Sequence, residues 1–267
     1  MTDAQGIWRD IERIRAERPL VHNITNYVAM SLTANALLAL GASPVMAHAP
    51  EEVAEMAGLA RALVLNIGTL SRPWIEAMGL AAAAARAAGI PIVLDPVGAG
   101  ATRFRTETAL ALLETARPAV LRGNASEIRA LALAEAGTKG VDSRHDPADA
   151  LEAARMLAGR FGPVVSVSGP VDIIVGPAAL VRVANGHPLM PRVTGLGCVA
   201  TALTGAFTAV NPSPFAAAVH AMAVMGIAGE MAAEGASGPA SLQVRFLDAL
   251  YALSAEAVRS RLRLEEG

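Results

Sequence analysis

A three-layer α/β/α fold around a mostly parallel central sheet is the fold class that this 267-residue sequence predicts, and three observations carry it. Short aliphatic runs alternate with longer helical stretches, the order expected of parallel βαβ units with helices on both faces of a sheet. Apolar residues make up 53% of the chain and charged residues 17%, ample material for a buried core. Polar residues gather directly after the aliphatic runs, at the strand ends where open parallel sheets carry their sites.

The first 18 residues are charged and amphipathic and lack an apolar h-region, so no signal peptide is expected. Strands are predicted over residues 44–47, 62–65, 91–94, 119–121 and 164–167, because each run is brief and aliphatic or β-branched. Helices are predicted between them over 27–40, 50–59, 72–88, 105–116, 126–135 and 147–160. Residues 171–175 and 180–183, joined through Gly176 and Pro177, read as a hairpin at the sheet edge. Beyond Pro191 the chain reads as helical to its end, in three segments starting near Cys198, Pro214 and Ser241. No linker or repeat divides the sequence, so a single domain over residues 1–267 is expected.

Composition narrows the function. The formal charge is −2 and no Lys/Arg run stands out, which argues against nucleic acid or an anionic membrane surface as partner. The apolar stretch 199–228 is broken at Asn211, Pro212, Ser213 and Pro214 and carries His220, so two buried helices are expected rather than a membrane span. Cys198 is the sole cysteine, which rules out an intramolecular disulfide and fits a reducing cytoplasm. His22, His48, His145, His187 and His220 show no zinc-ligand spacing.

Three motifs remain as candidates for chemistry. Thr194, Gly195, Leu196, Gly197 and Cys198 run straight into a helix, and two glycines at a helix start can form a hole for a phosphoryl group. The plain alternative is a glycine-rich helix entry that only packs. No Gly-Lys-Ser/Thr sequence marks a Walker A loop. Asp95 ends an aliphatic run before Pro96, Val97, Gly98, Ala99 and Gly100, where a carboxylate can hold Mg²⁺ beside a phosphate or simply cap a turn. In Arg122, Gly123, Asn124, Ala125, Ser126 and Glu127, the arginine can fork onto phosphate and Glu127 can reach a metal. Asn124 and Glu127 are also spaced as a capping box, which needs no ligand.

These blocks, with residues 19–26 around His22, Asn23 and Asn26, residues 39–46 ending at Met46, and residues 66–70 from Asn66, resemble the hydroxyethylthiazole kinase family of the ribokinase-like superfamily. They follow that family's order over residues 19–208, and Phe246 to Leu250 is also similar. The resemblance implies a ribokinase-like fold and ATP-dependent, Mg²⁺-requiring phosphorylation of 4-methyl-5-(2-hydroxyethyl)thiazole in thiamine salvage. It also implies a homotrimer with sites between subunits. By position, Asn26, Met46 and Gly195 match substrate contacts, Arg122 and Ser168 match ATP contacts, and Asp95 and Glu127 match the metal and phosphate region. Gly197 and Cys198 match the catalytic loop.

Related kinases often place Asp where Cys198 stands, as the base for the alcohol proton. Two readings of Cys198 follow: a thiol whose pKa the helix N-terminus lowers, or a small residue that shapes the site. Leu196 departs from the Ala or Thr expected between the glycines, and its bulk is expected to narrow the pocket. The rival functions are a kinase for another heterocyclic alcohol, such as a hydroxymethylpyrimidine, and a non-catalytic nucleotide- or thiazole-binding regulator.

Overall fold

The computed structural model describes residues 2–137 and 147–267; Met1 and His145, which the sequence reading includes, lie outside them. Six strands run parallel: β1 (Leu20–Ile24), β2 (Ser43–Val45), β3 (Ala62–Asn66), β4 (Ile92–Asp95), β5 (Val120–Asn124) and β6 (Val164–Ser168). Three antiparallel strands extend the sheet: β7 (Asp172–Val175), β8 (Leu180–Val183) and β9 (Leu264–Glu266). Among the described residues the sheet has nine strands in the order β2-β1-β3-β4-β5-β6-β7-β8-β9.

Helices cover both faces, which gives the three layers the sequence predicts. On one side lie α1 (Ala4–Glu17), α2 (Met30–Leu40), α8 (Leu196–Val210), α9 (Pro214–Ala233), α10 (Pro239–Tyr251) and α11 (Ala255–Arg261). On the other lie α3 (Val53–Leu59), α4 (Arg72–Ala87), α5 (Arg103–Ala116), α6 (Ala125–Glu135) and α7 (Pro147–Phe161). The strands separate two apolar cores because alternate residues point to opposite faces: Val64 and Val93 join one, Leu63, Leu65 and Leu94 the other.

Local chemistry sets most helix starts. Asp3, Ser71, Thr102 and Ser213 each accept an N–H from the first turn of the helix that follows. Helix α9 is the one described helix long and apolar enough to span a membrane, and it is a core helix, with 83% of its apolar window buried. It is tied to α1 by a buried pair, His220 Nδ1 lying 2.7 Å from Asp10 Oδ2.

Several expectations need correction. Helix α2 starts at Met30 rather than at 27, because Asn26 Oδ1 accepts the Ala29 N–H (3.0 Å) and holds the intervening residues in a turn. Helix α3 starts at Val53, three residues after Pro50. The chain is not helical to its end: β9 pairs with β8, so the β7–β8 hairpin lies one strand in from the edge. Strand β1 escapes an aliphatic-run search because His22 and Asn23 sit inside it, both fully buried.

Candidate active site

The polar strand ends meet at the N-terminus of α8, in a cleft of about 1010 Å³. Eight of the nine candidate residues line it: Asn26, Asp95, Arg122, Glu127, Ser168, Gly195, Gly197 and Cys198. Met46, just past β2, is not among them.

The glycines at the start of α8 have separate reasons. Gly195 is the residue before the helix and sits at φ +88°, a left-handed conformation that an L side chain rarely adopts. Among the described residues no side chain caps α8, so its first N–H groups remain free to donate. At Gly197 a Cβ would lie 3.2 Å from Arg122 Nη1, so a bare backbone lets the guanidinium approach. Arg122 Nη1 donates to the Gly197 carbonyl (2.8 Å), while its buried Nε has no hydrogen-bond partner among the described residues. A buried donor without an acceptor is costly, and an anion in the cleft would relieve it. Leu196 lines the cleft and is 4% exposed, its side chain joining the apolar core.

A chain of polar side chains runs along the cleft floor. Thr201 Oγ1 (2.7 Å) and Asn66 Nδ2 (2.8 Å) both donate to Asp95 Oδ2. Asn26 Nδ2 donates to Asn66 Oδ1 (2.9 Å) and reaches Cys198 Sγ at 3.1 Å. Burial pushes the Asp95 carboxyl up to about 7, with Glu127 adding to the rise and Arg122, Thr201 and Asn66 opposing it. Burial also pushes the Cys198 thiol up, to about 11, and Asp95 adds to it. Of the two readings of Cys198, this burial favours the one in which the residue shapes the site.

Glu127 behaves as the capping box requires. Its two carboxylate oxygens accept N–H groups from Gly98 and Asn124 (both 2.9 Å), and its own N–H donates to Asn124 Oδ1 (3.0 Å). It therefore joins the loop after β4 to the start of α6. Asp95 Oδ1, in contrast, has no hydrogen-bond partner among the described residues. One hard oxygen open to a cleft, with a second carboxylate beside it, fits Mg²⁺, which keeps several waters and takes others of its ligands from phosphate.

Three residues of the site do not emerge from the sequence reading. Thr201 lies one helical turn beyond Gly197, and that spacing is its signal. Asp172 follows Ser168 by four residues and accepts the Gly169 N–H (2.9 Å). Arg105 donates to the carbonyls of Ile67 (2.8 Å), Val97 (2.7 Å) and Gly68 (2.8 Å), clasping the loops after β3 and β4. Nothing in the sequence around Arg105 announces that role.

A doubly wound sheet with an open helix start, a buried arginine and a carboxylate pair in one cleft defines a small-molecule kinase of the ribokinase-like class. Solved pyridoxal kinases of Staphylococcus aureus share the fold; one in complex with AMP-PCP and pyridoxal superposes with a TM-score of 0.61 at 16% identity, over 80% of this chain and 88% of that one. The hydroxyethylthiazole kinase family model matches residues 11–256. Hydroxyethylthiazole kinase of Syntrophus aciditrophicus is 59% identical over 98% of both chains, and that of Nitratidesulfovibrio vulgaris strain Miyazaki F is 55% identical over 99% of both. The solved hydroxyethylthiazole kinase protein from Pyrococcus horikoshii gives a TM-score of 0.92 at 46% identity, covering 98% of this chain and 99% of that one. The chain belongs to the hydroxyethylthiazole kinase family.

Proposed function

We propose that this kinase transfers the γ-phosphoryl group of ATP to the hydroxyl of 4-methyl-5-(2-hydroxyethyl)thiazole, and that the cleft at the start of α8 is where it does so. The observation that carries the assignment of the cleft is the buried, unpartnered Nε of Arg122 beside the uncapped first turn of α8. Together they form a donor set for an anion. Arg122 and Ser168 would bind the nucleotide phosphates, while Asn26 and Gly195 would contact the thiazole. In the transfer, the alcohol oxygen bonds to the γ-phosphorus, the bond from that phosphorus to the departing ADP breaks, and the hydroxyl proton passes to a phosphoryl oxygen and from there to solvent. Such a transition state is loose, so positioning and charge stabilisation by Arg122 and the N–H groups of Gly197 and Cys198 outweigh proton removal. Cys198, protonated and bonded to Asn26, shapes the site in this reading. Mg²⁺, held by Asp95 with Glu127 nearby, would supply positive charge to the phosphate oxygens.

The same reading takes the chain as one domain over residues 1–267, working in the cytoplasm on small molecules as a homotrimer with shared sites. Tyr27 and Val28, each 65% exposed and next to Asn26, support a neighbour at the cleft mouth, and Met46 would gain its substrate contact there. Light scattering on the purified chain should give about three times 27.3 kDa; a fully active monomer would sink the shared-site part. The reaction itself is tested by coupled ADP release with the thiazole alcohol and with hydroxymethylpyrimidine. Faster turnover on the pyrimidine would replace the substrate assignment, and no release on either would replace the enzyme with a binding protein.

A further inference from the structure

Asp172 is a buried carboxyl in the cleft that the proposed reaction does not use. It is 7% exposed, opens β7, and lines the same cleft as Arg122 and Ser168. Between β6 and β7 the chain must reverse within Gly169, Pro170 and Val171, since Val167 already pairs with Ile173. Pro170 has no N–H, so few backbone donors can fix this reversal. One that does is the Gly169 N–H, and it donates to Asp172 Oδ1 at 2.9 Å. The residue just before it is Ser168, whose hydroxyl lies only 3.4 Å from the Gly123 carbonyl, a weak restraint. Ser168 closes β6 and its backbone is paired with Asn124 of β5, so the sheet sets one side of the residue, while the turn held by the Asp172 carboxyl sets the other.

We propose that Asp172 is a positioning residue for the nucleotide, fixing the Gly169 N–H and with it the turn that presents Ser168 to the phosphates. The inference rests on the reading of Arg122 and Ser168 as the nucleotide site. A direct contact of the carboxylate with phosphate is disfavoured because both are anionic. Burial already pushes this carboxyl up to about 6, with the Gly169 N–H and Arg122 opposing the rise. A neutral acceptor in the same place would thus keep the turn and remove a repulsive charge.

The test is steady-state kinetics on the full chain, varying ATP and the thiazole alcohol separately, for Asp172→Asn, Asp172→Leu, Asp172→Ala and Arg122→Ala, with thermal melts of each. Asp172→Leu and Asp172→Ala, which lack an acceptor, should raise the KM for ATP roughly tenfold, the size of one charge-assisted hydrogen bond. Their KM for the alcohol should stay within about twofold of wild type, because uniform binding of that substrate is untouched. Asp172→Asn, which keeps an acceptor, should hold the ATP constant at or below the wild-type value. The proposal is overturned if both apolar variants keep the wild-type ATP constant, or if Asp172→Asn is as impaired as they are. It is equally overturned if the alcohol constant rises with that for ATP, or if neither apolar variant folds, since either result assigns Asp172 a general structural role. Arg122→Ala separates the two levels. A normal ATP constant there removes the nucleotide reading and this inference with it; a raised one alongside unaffected Asp172 variants removes this inference alone.

Discussion

Arg122 Nη1 donates to the carbonyl of Gly197 across 2.8 Å and so joins the end of β5 to the first turn of α8. One side chain thereby sets the distance between the cation and the helix N–H groups that face the same cleft. Replacing it should separate nucleotide use from alcohol binding. Arg122→Ala is expected to raise the KM for ATP roughly tenfold or more, since charged hydrogen bonds are worth about 1.5–3 kcal/mol. Kinetics with both substrates varied check this; a folded variant with unchanged ATP constants contradicts it.

Arg105 clasps two active-site loops through three backbone carbonyls, Ile67, Val97 and Gly68. Arg105→Ala should leave those acceptors without their donor and destabilise the chain by about 1–3 kcal/mol. Arg105→Lys should recover little of this, because an ammonium lacks the planar fork that reaches both loops. Denaturant melts of the two variants decide the point, and full recovery by lysine would show that charge rather than geometry matters.

The titration of Asp95 gives stability a pH dependence of definite sign. The folded carboxyl ionises near pH 7, whereas an unfolded one does so near about 3.9, so between those values the native state holds more protons. Stability from this group is therefore greatest at low pH and falls as pH rises toward 7. Asp95→Asn, which can still accept from Asn66 and Thr201, should raise the melting temperature at pH 8 and change it less at pH 5. Equal shifts at the two pH values would show that the carboxyl is ionised throughout.

Cys198 is expected to help without being indispensable. Its thiol is held up at about 11, so no thiol-linked limb should enter the rate between about pH 6 and about pH 9. Cys198→Ser keeps the helix N–H groups and should retain a measurable fraction of turnover, short of the roughly 10²–10⁴-fold loss that removing a committed base causes. Cys198→Asp should retain or raise activity at neutral pH. Complete inactivity of both folded variants would contradict this view.

How much of this was legible in the sequence depended on how cleanly each element separates apolar from polar residues. Strands β3, β4, β5 and β6 could be read because their aliphatic runs end abruptly in Asn66, Asp95, Arg122 and Ser168. That same boundary located the site. Strand β1 could not be read as a strand, since His22 and Asn23 are polar yet fully buried. Strand β9, three residues with two glutamates, has too little apolar content to stand out. Arg105 and Asp172 act through backbone groups of distant or turning segments, and side-chain patterns carry no trace of such bonds. The burial around Cys198 was hidden for a related reason: a helix start is visible in sequence, but what packs over it is not.

The most direct test of the whole account follows the phosphoryl group. The purified chain, incubated with Mg²⁺, ATP labelled at the γ-phosphate and hydroxyethylthiazole, should place the label on the thiazole hydroxyl, one equivalent for each ADP formed. Arg122→Ala should slow that transfer at limiting ATP by roughly tenfold or more. Label released only as inorganic phosphate, or transfer that proceeds at the wild-type rate without Arg122, would contradict the assignment of this cleft as the site of alcohol phosphorylation.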